Sequence, residues 1–481
     1  MTSNERKKPG VVKNYIYNLS YQILAIIVPL ITTPYISRVL HASGIGDYSY
    51  TYTIAYAFSL IAGLGVNNYG QREIAYRQDN KKERSIVFFE LCIVRIITTL
   101  IVGALYLGFS LAYKEYTNYL LLQFFVILSV LFDISWYFQG VERFKIILLR
   151  NIVIKSLSTI SIFLFVKNAG DVGTYIVITS VSVLISNISI LFCLRGEITR
   201  VDFRCLHPQK QLRGSLEFFI PVMSTQIYSH LDRIMLGAMI NSSVENGYYE
   251  QARKIAYMIT TIVSSLNGVM MSRVSNLYIN NKKDEIIKYY RNSFRFIAMI
   301  VFPMTIGLIS ISNNFTIWFF GNDFAKVSIL LKLSAPLIIF MCVGNFVAVQ
   351  FLSPMKMQNT MTRIYIVAAA VNLALNFILI PIGASIGALV ASIIAEIYSC
   401  FAQTYYLKKS EYNFKMTRHF TKYIFASVLM GACVLIIDLK LPLNGPRKTF
   451  IEIFVGMLIY LSELWVMGEL KAIRKLVYSH Y

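Results

Sequence analysis

Long apolar runs separated by short polar stretches occupy almost the whole of this sequence. A helix that crosses the hydrocarbon core of a bilayer needs about 20 mostly apolar residues, and fourteen stretches meet that requirement. They lie at roughly 14–39, 45–69, 86–109, 118–138, 149–166, 174–194, 214–239, 247–272, 290–311, 328–352, 364–383, 385–407, 423–439 and 450–468. Backbone polar groups in lipid need partners within their own segment, which favours helices. The sequence therefore predicts an all-α polytopic membrane protein of about fourteen transmembrane helices.

The distribution of basic residues predicts how the chain is oriented. Hydrophobic residues make up 56% of the 481 residues and the formal net charge is +21; in a soluble chain such a charge would suggest nucleic acid. An even number of spans places both termini on one side, where the loops and tails hold 32 Lys and Arg against 6 on the other side. Basic residues concentrate on the cytoplasmic side. We therefore expect cytoplasmic termini, no cleaved signal peptide and no nucleic-acid partner.

The chain also repeats itself. Residues 54–84 and 255–285 match at a constant offset of 201, including Arg72 with Arg273. Six spans in each copy is an even number, so both copies have the same orientation, as in repeats related by an axis along the membrane normal. This predicts two six-helix lobes around a central cavity, a geometry suited to alternating access. The predicted domains are 1–213 (spans 1–6), 214–422 (spans 7–12) and 423–481 (spans 13 and 14 with a tail).

Eight basic residues remain inside the predicted spans: Arg38, Arg95, Lys155, Arg233, Arg253, Lys254, Arg295 and Lys332. A charge at the bilayer centre costs about 2.5–3.5 kcal/mol on insertion scales, so most must pair, reach water or extend to the interface. Lys155, Arg295 and Lys332 lie near span ends and are expected to extend to the interface. Arg95 lies near the middle of span 3, where Asp133 of span 4 can form an intramembrane ion pair with it. A structural and a functional role remain open for that pair.

A second group of basic residues suggests an anionic ligand. Arg38, Arg233, Arg253 and Lys254 come from spans 1, 7 and 8, toward their outer halves and at the seam between the two copies. Guanidinium groups offer paired donors to phosphate, so a cationic seam would suit a phosphate or diphosphate. Extension to the outer interface is the alternative, and Asp232 would partly neutralise Arg233.

No motif in the sequence indicates an enzyme. The G-x-x-x-x-G-K-[ST] and H-E-x-x-H patterns are missing, and the histidines and cysteines show no metal-ligand spacing. We expect no cofactor and no metal site. A membrane polymerase would need a large outer loop, whereas the longest predicted outer loops, 311–328 and 440–449, are short.

Two motifs resemble those of the bacterial polysaccharide repeat-unit flippases. These are PYISRVLHASGIGDYSY at 34–50 and YGQREIAYR at 69–77. That family exports lipid-linked units for O-antigen, capsule or exopolysaccharide, and belongs to the multidrug/oligosaccharidyl-lipid/polysaccharide exporter superfamily. Gly46, Asp47, Tyr48 and the Tyr69–Arg72 turn match its pattern, and for them we expect packing roles.

The resemblance implies a flippase in the bacterial cytoplasmic membrane that moves an undecaprenyl-diphosphate-linked oligosaccharide to the outer face. It assigns diphosphate binding to Arg38, Arg233, Arg253 and Lys254, and makes spans 13 and 14 a support for the lipid tail. Expected partners are this substrate and the bilayer, with a polysaccharide polymerase and assembly proteins as candidates. The alternative is a proton- or sodium-coupled drug/cation antiporter of the same fold. It would need acidic groups near the seam, where Asp47, Asp232 and Glu250 are the candidates.

Overall fold

A computed structural model describes residues 11–240, 242–264, 267–414 and 417–469, and within these ranges the regular structure is helical throughout. The basic tails counted above, 1–10 and 470–481, lie outside the described residues. The helices are α1 (Val11–Gly63), α2 (Val66–Tyr76), α3 (Lys81–Ala112), α4 (Thr117–Phe132), α5 (Ser135–Gly140), α6 (Phe144–Phe165), α7 (Val172–Ser189), α8 (Pro208–Met239), α9 (Ser243–Ser264), α10 (Asn267–Ile279), α11 (Lys283–Phe320), α12 (Val327–Phe346), α13 (Gln358–Lys409), α14 (Thr417–Lys440) and α15 (Pro446–Val466).

Two of these helices each contain two predicted spans. Helix α1 is interrupted at His41 (φ 57°, ψ −177°), and α13 is interrupted at Ala384 (φ 46°, ψ −122°). Each break falls where the sequence predicts a loop, between spans 1 and 2 and between spans 11 and 12. With α2, α5 and α10 set aside as short helices, the described chain contains fourteen long helical segments. The predicted fold class is therefore confirmed.

The long helices differ in polarity. Nine helical stretches in the described ranges are long and apolar enough to cross a membrane, and α8 and α9 are not among them. Helix α9 shows why, because six charged or amide side chains occur in its first twelve residues: Glu245, Asn246, Glu250, Gln251, Arg253 and Lys254. Polar side chains inside a membrane face protein or water rather than lipid. The two more polar helices, α8 and α9, are the predicted spans 7 and 8.

The helix succession supports the internal repeat. Helix α10 begins at Asn267, 201 residues after α2 begins at Val66, and each is followed by a long helix, α11 or α3. The described chain divides into two compact units, Met1–Ile234 and Met235–Tyr481, so the dividing point lies within α8. The domain limits predicted from the sequence stay predictions.

Each unit has its own apolar core. In the first unit, Trp136 and its neighbours on α2, α3 and α5 form one buried cluster. In the second unit, Phe302 of α11 packs with Met430 of α14 and Leu464 of α15. The Tyr460 hydroxyl also donates a 2.8 Å hydrogen bond to the Met299 carbonyl. The two C-terminal helices are thus packed against α11.

Candidate functional site

Arg233 lies in an aromatic and polar cluster of the first unit. Its side chain is 7% exposed, and its Nη1 lies 2.8 Å from the Nδ1 of His230, one turn earlier on α8. The His230 ring lies 4.7 Å from the ring of Tyr56 on α1. The Tyr56 hydroxyl donates to Gln226 Oε1 at 3.2 Å. A buried guanidinium is therefore held beside the tyrosine-bearing half of α1.

Tyr56 ends a row of three stacked tyrosines on α1, which we call the tyrosine ladder (Tyr48, Tyr52 and Tyr56). The rings of Tyr48 and Tyr52 are 5.6 Å apart and 16° from parallel, and those of Tyr52 and Tyr56 are 6.0 Å apart and 20° from parallel. Tyr175 of α7 lies against Tyr48 at 4.7 Å. The spacing of four residues puts the three rings on one helix face. All three are half-buried, so each keeps part of its surface accessible.

Arg253 is the corresponding buried cation of the second unit. It is 6% exposed and donates through Nη2 to the Tyr257 hydroxyl at 2.8 Å. Its guanidinium carbon lies 4.7 Å from the centre of the Tyr257 ring. Contact with an aromatic face stabilises a desolvated cation. The Arg253 charge is therefore held by an aromatic neighbour on its own helix, α9.

The remaining predicted phosphate ligands differ in exposure. Arg38 is exposed and lies three residues before the break at His41, while Lys254 is half-buried. Asp232 is 2% exposed. Arg38 and Arg233 belong to the first unit, and Arg253 and Lys254 to the second. Their joint binding of one ligand stays a prediction.

Buried Arg95 forms a polar network with Asp133 and the exposed Asn67. Arg95 is 2% exposed, and its Nη1 lies 3.8 Å from Asp133 Oδ2. It also donates to the Asp133 carbonyl and, through Nη2, to Asn67 Oδ1 at 2.6 Å. The Asn67 amide closes the network on Asp133 Oδ2 at 3.1 Å. The network joins α2, α3 and the turn between α4 and α5.

The other intramembrane cations have protein contacts of their own. Arg295 bonds the Tyr423 hydroxyl at 3.0 Å and forms an ion pair with Glu469. Lys332 donates to Asn313 Oδ1 at 2.8 Å in an exposed position. Lys155 is half-buried.

The sequence motif at 69–77 lies mainly on α2 and serves packing. The Tyr69 hydroxyl donates to Gln211 Oε1 of α8 at 2.8 Å. A Cβ added at Gly70 would lie 2.6 Å from Trp136 Cε3, so a larger residue has no room there. The Arg72 guanidinium lies 4.6 Å from the centre of the Phe218 ring. These contacts attach the motif to α8 and to the core of the first unit.

A large apolar groove opens in the second unit. Its volume is about 560 Å³, and its walls come from α9, α11, α14 and α15. The lining residues are Ile259, Met299, Ile300, Pro303, Met304, Gly307, Leu308, Ile311, Met430, Val434, Glu452, Ile453, Gly456, Met457, Tyr460, Leu461 and Leu464. Such a surface suits a flexible hydrocarbon chain, because methionine side chains adapt to irregular apolar shapes.

Sequence reasoning missed the tyrosine ladder and the groove. The spacing of Tyr48, Tyr52 and Tyr56 is a signal that could have identified the ladder. The groove has no such signal, since it depends on how α14 and α15 pack against α11. In the described ranges, no group of three or more His, Cys, Asp or Glu is placed to hold a metal ion.

Comparison with known proteins identifies the family. A protein of Shigella dysenteriae described as an O-antigen transporter is 23% identical over 361 residues, which is 73% of this chain and 88% of that protein. The structure titled lipid II flippase MurJ, inward closed conformation, matches with a TM-score of 0.75 at 16% identity, covering 95% of this chain and 99% of that one. An outward-facing multidrug resistance MATE family transporter of the MOP superfamily matches with a TM-score of 0.55 at 14% identity, covering 82% of this chain and 92% of that one.

These two structural matches show the fold. The model of the family described as polysaccharide biosynthesis protein matches residues 11–275, which is more than half of the 481 residues. The chain therefore belongs to the polysaccharide biosynthesis protein family.

Proposed function

We propose that this protein is a flippase that moves an undecaprenyl-diphosphate-linked oligosaccharide from the inner to the outer face of a bacterial cytoplasmic membrane. Family membership over residues 11–275 is the observation that carries the proposal. The relative from Shigella dysenteriae, described as an O-antigen transporter, points the same way. Such a substrate has three chemically distinct parts: a diphosphate, a chain of sugars and a long hydrocarbon tail. The described residues offer a surface suited to each part.

The diphosphate is assigned to the basic residues. Arg233 and Arg253 are both less than 10% exposed, and a buried guanidinium interacts more strongly with an anion than one in bulk water does. Its planar fork also matches phosphate oxygens. Arg38 and Lys254 complete the proposed set. The partners already held by the arginines, His230 and Tyr257, keep the two side chains oriented.

The sugars are assigned to the tyrosine ladder. Tyrosine offers an apolar ring surface together with a hydroxyl that both donates and accepts hydrogen bonds. A row of such rings along α1 can make similar contacts with successive sugars. Its end at Tyr56 and His230 leads to Arg233, so the sugars and the diphosphate would have adjacent binding surfaces in the first unit.

The hydrocarbon tail is assigned to the apolar groove of the second unit. Burying apolar surface contributes about 25 cal/mol per Å², so the groove would favour a long hydrocarbon chain over a polar one. The two C-terminal helices, α14 and α15, form part of its wall. This assigns to the two appended helices the role that the resemblance implies for spans 13 and 14.

The proposed orientation places both termini in the cytoplasm. Its main support is the 32-to-6 distribution of basic residues. Three contacting residues support a common face for three segments: Lys326 Nζ lies 2.6 Å from Glu245 Oε1, and Ser385 Oγ donates to Glu245 Oε2 at 2.5 Å. The distribution of basic residues then makes that common face the outer one.

A depletion experiment in cells tests the function and the cationic site together. Lipid-linked oligosaccharides are extracted after depletion of the protein, and their distribution between the two membrane faces is measured. We expect accumulation on the cytoplasmic face that wild type reverses and that Arg233→Ala and Arg253→Ala do not reverse. Lys332→Ala is the matched control, since it removes another intramembrane cation whose partner is Asn313, and it should rescue fully.

The other outcomes have distinct meanings. Full rescue by both arginine variants would remove the cationic site and leave the flippase. An unchanged distribution after depletion would contradict the flippase, and efflux of a cationic drug driven by an ion gradient would then favour the antiporter.

A further inference from the structure

Three charged side chains meet beside the loop that joins α14 and α15. Lys448 Nζ lies 2.6 Å from Asp438 Oδ1 and also donates to the Asp438 carbonyl at 2.7 Å. Glu452 follows Lys448 one helical turn later. Lys448 is 7% exposed and Glu452 is 0% exposed. Asp438 is the outer member of this group, with 22% of its side chain exposed. We call the three residues the Asp438–Lys448–Glu452 triad.

Glu452 has no donor that would stabilise it as a carboxylate. Neither of its carboxyl oxygens accepts a hydrogen bond from any donor in the described ranges. Its side chain instead lies within hydrogen-bonding reach of the Asp438 carboxyl. Two ionised carboxylates have no proton to donate to each other. A hydrogen bond between them exists only when one of them carries a proton.

The charge balance of the triad leads to the same conclusion. With both carboxylates ionised, one lysine leaves a net charge of −1 in a buried site, whereas one added proton makes the site neutral. An uncompensated buried charge is expensive, and close carboxylates in such a site hold one proton between them. The charged groups that act on Glu452 are Asp438 and Lys448.

Among the described residues around the triad, we find neither a free hydrogen-bond donor nor a set of cation ligands that could take the place of that proton. The groove wall contributed by α9 and α11 is uncharged, with Ile259 and Leu308 among its residues. The nearby Asn314 amide is committed to the Gly445 carbonyl at 3.0 Å and the Thr449 hydroxyl at 2.8 Å. A hard cation such as sodium needs several oxygen ligands, and the apolar groove does not supply them.

Glu452 is also part of the groove wall. When an apolar chain fills the groove, it excludes water from the Glu452 carboxyl and disfavours its ionised form. When the groove empties and water enters, ionisation becomes less costly. Filling the groove and protonating Glu452 must therefore favour each other, because coupling between two ligands is reciprocal.

We propose that Glu452 and Asp438 share one exchangeable proton, and that this proton is taken up when an apolar chain enters the groove and released when it leaves. The proton site stands on the geometry of the triad, while the chain as the groove's occupant rests on the proposed function. During uptake, a proton from the aqueous phase adds to one carboxylate oxygen, and the net charge of the triad changes from −1 to 0. This makes α14 and α15 a proton-binding element of the transporter.

Infrared difference spectroscopy on the purified full-length protein tests the proton site without substrate. We expect the C=O stretch of a protonated carboxyl to appear as the pH of the substrate-free protein is lowered, to be sensitive to deuterium exchange and to be absent from Glu452→Gln. Asp438→Asn should also remove it, because Glu452 then has only Lys448 as a charged neighbour and ionises.

Glu463 is a second carboxyl without a hydrogen-bond partner in the described ranges, so all spectra are taken in a Glu463→Gln background. Glu285→Gln is the matched control, since the Glu285 side chain is exposed and forms an ion pair with Lys282, and it should keep the band. A band that survives in Glu452→Gln, or that only added sodium changes, would overturn the proposal.

Binding of undecaprenyl diphosphate at a series of pH values tests the coupling. Above the pKa of the substrate-free site, affinity should fall by up to tenfold per pH unit in wild type. Glu452→Gln mimics the protonated state, so this part of the pH dependence should disappear, while any part due to the diphosphate itself should remain in both proteins. Equal pH dependence in both would overturn the coupling. If the infrared band is present and the probe does not bind at any pH, the proton site stands and the proposed function fails.

Discussion

The buried Arg95 network gives the most specific stability prediction. Replacing Arg95 with Met removes the donors to the Asp133 carbonyl and to Asn67 Oδ1 and leaves the Asp133 carboxylate without its cation. Hydrogen bonds that involve a charged group contribute about 1.5–3 kcal/mol each. Removing one partner of a buried ion pair costs about 3–5 kcal/mol. We therefore expect Arg95→Met to destabilise the protein by about 3–5 kcal/mol.

The double variant shows whether the charges are coupled. Asp133→Asn keeps a side chain of similar shape beside Ser135 and Asn67 but leaves Arg95 as an uncompensated buried cation. In Arg95→Met/Asp133→Asn no buried charge remains. Neighbouring residues of one network show interaction energies of about 0.5–3 kcal/mol. The double variant should therefore lose less stability than the two single losses added together.

The free energy of unfolding is measured at one detergent concentration for wild type, the two single variants and the double variant. Transport per amount of folded protein is measured in parallel, and a structural role predicts that it stays near the wild-type value in variants that fold. Additive losses would refute the coupling. Full stability of Arg95→Met together with lost transport would show that the residue serves function rather than folding.

Other positions give further predictions. Gly70→Ala should destabilise the first unit by about 1–3 kcal/mol through overpacking, because its Cβ would lie 2.6 Å from Trp136 Cε3. Gly108→Ala is the control and should be tolerated, since a Cβ there has nothing within 4 Å. Equal thermal unfolding temperatures for the two variants would contradict this prediction. Burial raises the pKa of Glu469, but hydrogen bonds from Arg295, Lys422 and Tyr423 outweigh it and hold that pKa below its ordinary value. The stabilisation is then present above a pH of about 4.5 and is lost as pH falls through the lowered pKa. Glu469→Gln should thus unfold at a lower temperature than wild type at neutral pH, and the difference should shrink in acid; a difference independent of pH would count against the ion pair.

Much of the fold could be predicted because lipid imposes a simple rule on the chain. Every long helical segment of the described ranges corresponds to a predicted span, since a span needs about 20 mostly apolar residues. The short helices were missed. Helix α2 begins after Gly65, whose φ of 71° ends the preceding helix, and its residues were assigned to the end of span 2 and a cytoplasmic loop. Helix α10 was missed in the same way at the equivalent place in the second copy.

The candidate site was less predictable because it depends on packing between distant segments. Charge alone selected Arg233 and Arg253, since a basic residue in an apolar run is conspicuous. The contact of His230 with Tyr56 depends on the approach of α8 to α1. The contact of Glu452 with Asp438 depends on the register of the α14–α15 hairpin. Neither contact has a pattern in the sequence that could reveal it.

Reconstitution tests the central claim most directly. The full-length protein is placed in vesicles with a fluorescent undecaprenyl-diphosphate-linked oligosaccharide, and the fraction that becomes accessible to a membrane-impermeant reagent is followed in time. The account predicts transbilayer movement that needs the protein, is weakened by Arg233→Ala and Arg253→Ala, and is unchanged by Lys332→Ala. Movement no faster than in protein-free vesicles, from protein shown to be folded, would contradict it.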